Sequence, residues 1–211
     1  GKRPEGITGI GEHWKNLSSL SNPTFQPDVF LVSRAGDCKK TGQWLEGLAT
    51  SLTMEAHSPN EVIDFVSAYV ASLPDDQRDI VESRTVIVED RAAWNLLSAS
   101  NSRFNLIPKP SLDLEPEMIS SADRQGHHVL LCSHRYSGEN TDSLKLSRIY
   151  NYDLEKALIK TGFEESEARR LAGEAGGSLT ILKRRLPGFP GTNRPAWSKS
   201  PEADILLPIL L

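Results

Sequence analysis

Short apolar and β-branched runs, separated by helical segments, constrain this chain more than any other feature. Ser51–Ala56, Thr85–Val88, Phe104–Ile107 and His128–Cys132 read as strands. Leu144–Leu146 is a candidate fifth. Ser58-Pro59-Asn60-Glu61 opens the first intervening helix. The Ser58 hydroxyl is placed to accept from the Glu61 amide, Pro59 suits the first turn, and the Glu61 carboxylate can reach back to the Ser58 amide. Val62, Ile63, Phe65, Val66, Tyr69 and Val70 continue that helix as an apolar stripe ending before Pro74. A second helix, Arg91–Ala99, carries Trp94, Leu96 and Leu97, and a third spans Met118–Gln125. Apolar strands alternating with helices predict an α/β fold: a mainly parallel sheet of about five strands, covered by helices on both faces.

Other patterns flank this body. Residues 1–27 are rich in glycine, proline, serine and asparagine around a short helix near Trp14–Leu20, and read as an arm or linker. Residues 28–150 form the α/β domain, beginning with the apolar run Asp28–Val32 and a helical stretch at Asp37–Leu48. From Tyr152 the period is purely helical. Asp153–Thr161 closes at Gly162, Glu164–Glu174 closes at Gly176-Gly177, and Ser178–Leu186 ends at Pro187. Residues 151–186 are therefore expected to be a small helical lid. Pro187–Gly191 begins a linker, and the apolar Ala203–Leu211 suggests a further module beyond residues 187–211.

Composition excludes more than it selects. The 211 residues are 38% hydrophobic and 25% charged, ordinary for a solvated globular core. A net charge of −4 gives no reason for broad attraction to nucleic acid or anionic membrane. No apolar run approaches the roughly 20 residues that span a bilayer. The polar, glycine-rich start is no secretory signal, and Cys38 and Cys132 form no disulfide framework. A cytoplasmic location is expected.

Thr85-Val86-Ile87-Val88-Glu89-Asp90, then Trp94 and Leu97, then Ser102–Ile107, is similar to the second half of STAND-type and AAA+ P-loop NTPases. There an acidic strand end is followed by a short helix and a sensor strand. Ala168–Leu179, with its glycine pair, resembles that family's lid segment. Leu31-Val32-Ser33-Arg34, ahead of Trp44-Leu45, is similar to its hydrophobic-Gly-Arg box, with Ser33 standing where the glycine would be. The likeness covers roughly residues 28 to 186. It implies a P-loop NTPase-like fold with a lid, and nucleotide contacts from Arg34, Ser58, Glu89 and Asp90.

One departure outweighs the match. This family needs a glycine-rich loop ending in Lys-Ser/Thr after its first strand, to cradle phosphates and bind magnesium. Here Ala56-His57-Ser58-Pro59-Asn60-Glu61 stands instead, without glycine or lysine. Pro59 removes an amide, and Glu61 would repel phosphate. Gly6-Ile7-Thr8-Gly9-Ile10-Gly11 has the right glycine spacing, but Glu12-His13 follow it. Electrostatic stabilisation supplies most of the catalysis in phosphoryl transfer. ATP hydrolysis by the known mechanism is therefore not expected, although nucleotide binding without hydrolysis stays open. The resemblance implies a degenerate module, a non-catalytic scaffold or regulatory interaction domain of a larger bacterial signalling or defence protein. Its partners would be other domains of the same chain or another protein.

Other constellations compete with plainer readings. Glu89 and Asp90 would suit a metal-dependent nuclease or phosphoesterase, but carboxylates at a strand end also cap the next helix. Lys183, Arg184 and Arg185, with Arg169 and Arg170, form a basic cluster for nucleic acid or an acidic partner, or a solvated helix face. His128, Cys132 and His134 share a strand face, but the two histidines lie roughly 20 Å apart at strand rise, too far to share one zinc ion. No metal site or catalytic residue is assigned. Arg34, Arg135 and Arg148 are further candidates for an anion.

Overall fold

In the computed structural model, which describes residues 3–48, 51–134 and 142–186, the strand-forming runs join one sheet. Its six strands are β1 (Ile7–Gly9), β2 (Ser51–Glu55), β3 (Thr85–Val88), β4 (Asn105–Pro108), β5 (His128–Ser133) and β6 (Asp142–Lys145). They lie in the order β1-β3-β4-β5-β2-β6. All neighbours are parallel except β1, which runs antiparallel to β3 with Thr8 opposite Ile87. The fold is thus α/β with a mixed, mostly parallel sheet, one strand larger than expected. The additional strand comes from the arm, whose glycine-rich run Gly6–Gly11 forms β1 and starts the next helix. Three residues are too few to show a period, so pattern alone could not reveal it.

The strands are apolar on both sides because both sides are covered. Val86, Val88, Leu106 and Val129 face one helical layer, α6 (Arg91–Ser98) and α7 (Pro116–Arg124), and pack with Trp94, Leu97 and Ala122. Ile87, Ile107 and Leu130 face the other way, toward α3 (Ala35–Glu46) and α4 (Pro59–Ala71), and pack with Trp44, Val62, Phe65 and Val66. Every residue of β3 and β4 is consequently buried. One further helix, α5 (Asp75–Arg84), contains no buried residue. It carries no apolar stripe for the sequence to show: only Ile80 and Val81 are apolar, and Val81 alone packs, partly buried, on the core before the turn into β3.

A third cluster joins both ends of the described chain. The helices α8 (Asn151–Thr161), α9 (Glu165–Ala175) and α10 (Leu179–Arg185) bury Leu154, Leu158, Leu171, Leu179 and Leu182. Ala168, Ala172 and Ala175 on α9 are small enough to let its neighbours approach closely. The same cluster takes in Leu17 of α1 (Ile10–Ser18), Phe25, and Val29 and Phe30 of the short helix α2 (Asp28–Leu31). The apolar run at residue 28 therefore packs on α8–α10, and α1 lies along α4. Phe30 meets Trp14 and Phe25 edge-on, at 5.7 and 5.6 Å between ring centres.

Phe30→Ala should cost about 3–5 kcal/mol of stability, since it empties the joint between the arm, α2 and α8–α10. Urea unfolding of the variant beside the wild type measures this. A loss below about 1 kcal/mol would mean that the joint is not a packed core.

Candidate functional site

Open α/β sheets hold ligands outside the carboxyl ends of their strands, where the connections diverge. Here the chain leaves β2 toward β3 on one side and passes from β5 to β6 on the other. That geometry singles out the end of β2, the turn Ala56–Ser58 and the start of α4. Ser58 precedes α4, but its side chain makes no capping bond. Its carbonyl accepts from the Glu61 amide at 3.0 Å, and the Glu61 carboxylate does not return to it. The reciprocal cap expected here is replaced, because stronger donors compete for Glu61.

Those donors form a buried charge network. Glu61 and Arg34 are 5% and 2% exposed, and the Arg34 Nη2 donates to Glu61 Oε1 at 3.1 Å. The same oxygen accepts from the Leu179 amide at the start of α10, also at 3.1 Å. Arg34 further donates to the carbonyls of Ser147 and Phe30, at 2.7 and 3.2 Å. Burial pulls the Arg34 guanidinium below its ordinary range, and Glu61 opposes that shift. One turn on, Asp64 (2% exposed) binds the His13 ring at 2.8 Å and the Lys183 ammonium at 2.5 Å. Glu61 and Asp64 thus tie α4 to α10 from two successive turns, while His13 adds α1.

Ser33 completes the arrangement. It adopts φ 65°, a left-handed conformation that favours glycine and costs a residue with a side chain about 1–3 kcal/mol. Its hydroxyl donates to Asp153 Oδ2 at 2.7 Å and accepts from the Tyr150 amide at 3.2 Å. These bonds to α8 offset the strain. Asp37, in the first turn of α3, accepts from the Ser147 amide at 3.0 Å.

The four residues proposed from sequence for nucleotide contact do not converge. Arg34 and Ser58 belong to the α4 side, whereas Glu89 and Asp90 follow β3, three strand spacings or roughly 14 Å away. Asp90 caps α6 by accepting from the Ala93 amide at 2.8 Å. Glu89 pairs with Lys109 at 2.9 Å and accepts from Thr8 at 3.1 Å, and the Lys109 hydrogen bond holds its carboxyl below the usual range. A cleft of about 240 Å³ between the ends of β4 and β5 is lined by Thr53, Lys109, Asp113, Cys132 and Ser133. Among the described residues no group of three or more His, Cys, Asp or Glu could hold a metal ion. No helix among them is long and apolar enough to cross a membrane.

The basic cluster is also divided. Lys183 is held by Asp64, Arg185 reaches Glu174 at 3.6 Å, and Arg184 is exposed. Arg169 and Arg170 pair with glutamates of α8 and α9. Arg148 donates to the Gly176 carbonyl at 3.0 Å, and Arg135 lies outside the described residues. Sequence reasoning missed Asp64, His13 and Lys109. A signal for Asp64 was present: two acids three residues apart on an otherwise apolar helix need cationic partners.

Arg34→Met leaves Glu61 buried beside one amide, and should cost about 3–5 kcal/mol in urea unfolding. Adding Glu61→Leu should recover part of that loss, with a coupling of about 0.5–3 kcal/mol in the double-mutant cycle. Additive losses would show that the pair does not act as a unit. Desolvation pushes the Cys132 thiol, half-buried at the cleft wall, up to about 12, so alkylation at pH 8 should be several-fold slower in the native than in the unfolded protein. Equally rapid labelling of Cys132 in the native protein would contradict that desolvation.

Comparison of the chain with protein-family models, with curated proteins and with solved structures finds no match.

Proposed function

We propose that this chain is a non-catalytic NTPase-like module that serves as a scaffold or regulatory interaction domain. One observation carries the reading: the buried carboxylate of Glu61 at the first turn of α4, held by Arg34 and the Leu179 amide. A phosphate-binding strand–turn–helix presents glycine amides and a lysine at that turn. Here the turn Ala56–Ser58 contains no glycine, and the first turn of α4 carries a buried anion of the chain's own. Arg34 and Lys183 are both spent on internal carboxylates.

Two further features support an interaction role. The ties from Glu61 and Asp64 fasten α10 to α4 through the chain's own groups, as a rigid scaffold requires. Tyr150 and Tyr152, 70% and 65% exposed at the start of α8, are aromatic side chains of the kind enriched at protein interfaces. The phosphoesterase alternative rests on less. Asp90 is engaged as a helix cap, and Glu89 is neutralised by Lys109.

With millimolar magnesium-ATP, the purified protein should release no phosphate above the buffer blank. Amide hydrogen exchange of residues 56–61 and of α10 should be unchanged by the nucleotide. Turnover, or nucleotide-dependent protection of those residues, would overturn the reading.

A further inference from the structure

The amino ends of the parallel strands carry a second constellation, at the opposite end of the sheet from Glu61. Arg84 ends α5 and directly precedes β3, and Arg103 and Phe104 directly precede β4. Because Thr85 pairs with Asn105, the register brings the two approach segments side by side. Between them opens a cleft of about 490 Å³ lined by Ser83, Arg84, Ser102, Arg103 and Phe104. Among the described residues its lining includes two arginines and no acidic residue.

Neither arginine makes an ion pair among the described residues, so the charge of each is left uncompensated. Arg84 alone would need no special account, since a cation suits the last turn of a helix. Arg103 does, because its position is built. Its Nη2 lies 2.9 Å from His128 Nδ1 and donates to the Leu45 carbonyl at 3.4 Å. His128 is 5% exposed, and burial followed by the Arg103 charge lowers its pKa, so the ring is a neutral acceptor. Gly47, at φ 88°, makes room for the pair: a Cβ there would lie 2.6 Å from the His128 ring and 3.0 Å from the guanidinium. Arg103 therefore has a seat that orients it without cancelling its charge. Phe104 adds an apolar wall, half-buried and stacked on His127 at 6.2 Å. The nearby Glu82 is turned away, beside Gly11.

The Arg84 fork and the donors that Arg103 keeps free of His128 and Leu45 match the charge and oxygen geometry of a phosphate, and an aromatic wall suits a planar base. We propose that this cleft binds the phosphate of a nucleotide, either free or within a single strand, through Arg84 and Arg103 with the base against Phe104. The site is distinct from the α4 turn, and it stands whether or not the non-catalytic reading holds.

The test is a titration of the whole chain with inorganic phosphate, adenosine monophosphate and a short single-stranded oligonucleotide, followed by amide chemical shifts. Residues 83–84 and 102–104 should shift, and both base-bearing probes should bind more tightly than phosphate. Arg84→Glu, at an exposed position without a partner, should weaken binding at least about tenfold. Arg91→Glu changes net charge equally at the far end of the sheet and should have little effect. Arg103→Lys keeps the charge but loses the fork, and should weaken binding while the protein stays folded. A stronger response to the monophosphate identifies a free nucleotide, and a stronger, salt-sensitive response to the oligonucleotide identifies a strand. No shift at these residues with any probe overturns the proposal. So does equal weakening by Arg84→Glu and Arg91→Glu, and inorganic phosphate matching both other probes removes the base from it.

Discussion

The rest of the structure depends on one buried ion pair, Arg34–Glu61. Each charge alone would be intolerable where it lies, because a buried ion without a partner costs several kcal/mol. They are tolerated because every segment that encloses them contributes a partner. The turn before α3 brings Arg34, α4 brings Glu61, the segment before α8 brings the Ser147 carbonyl, and α10 brings the Leu179 amide. Sheet domain and terminal helices can therefore assemble fully only together.

Such a pair is a poor source of net stability, since desolvation consumes much of the attraction. Its consequence is geometric. Apolar packing of α8–α10 on Phe30 and Ala68 would allow several sliding arrangements, whereas Glu61, Asp64 and Ser33 each accept only one partner geometry. The left-handed backbone of Ser33 persists for the same reason: two bonds to α8 hold it there. The two ends of the sheet then differ in character. At the carboxyl end of β2 the charges are internal and paired, and at the amino ends of β3 and β4 two arginines stand without an acid among the described residues.

Much of the fold was legible because burial on both faces writes a continuous apolar run. Thr85–Val88 is such a strand, with the limits read from sequence, and the glycines at 162 and 176 mark real helix ends with left-handed φ. Elements without that imprint escaped. β1 is three residues long, α5 has no fully buried residue, and the run at residue 28 is apolar because it meets α8–α10. The site was less legible. Glu61 was visible as a residue hostile to phosphate, but its reciprocal cap with Ser58 gave way to Arg34, which lies 27 residues earlier. Local hydrogen-bond rules compare only neighbours, and a charged donor from a distant segment outcompetes them.

By itself, then, the sequence determined the α/β alternation, the helical character of residues 151–186, and the absence of glycine and lysine from the β2–α4 turn. These are local properties: periodicity, capping glycines and the chemistry of six adjacent side chains. Only the tertiary structure decided the strand order, the place of the arm in the sheet, and the partners of Arg34, Glu61, Asp64 and Arg103. Those depend on which distant segments become neighbours when both faces of the sheet are covered, and that is a property of the whole packing.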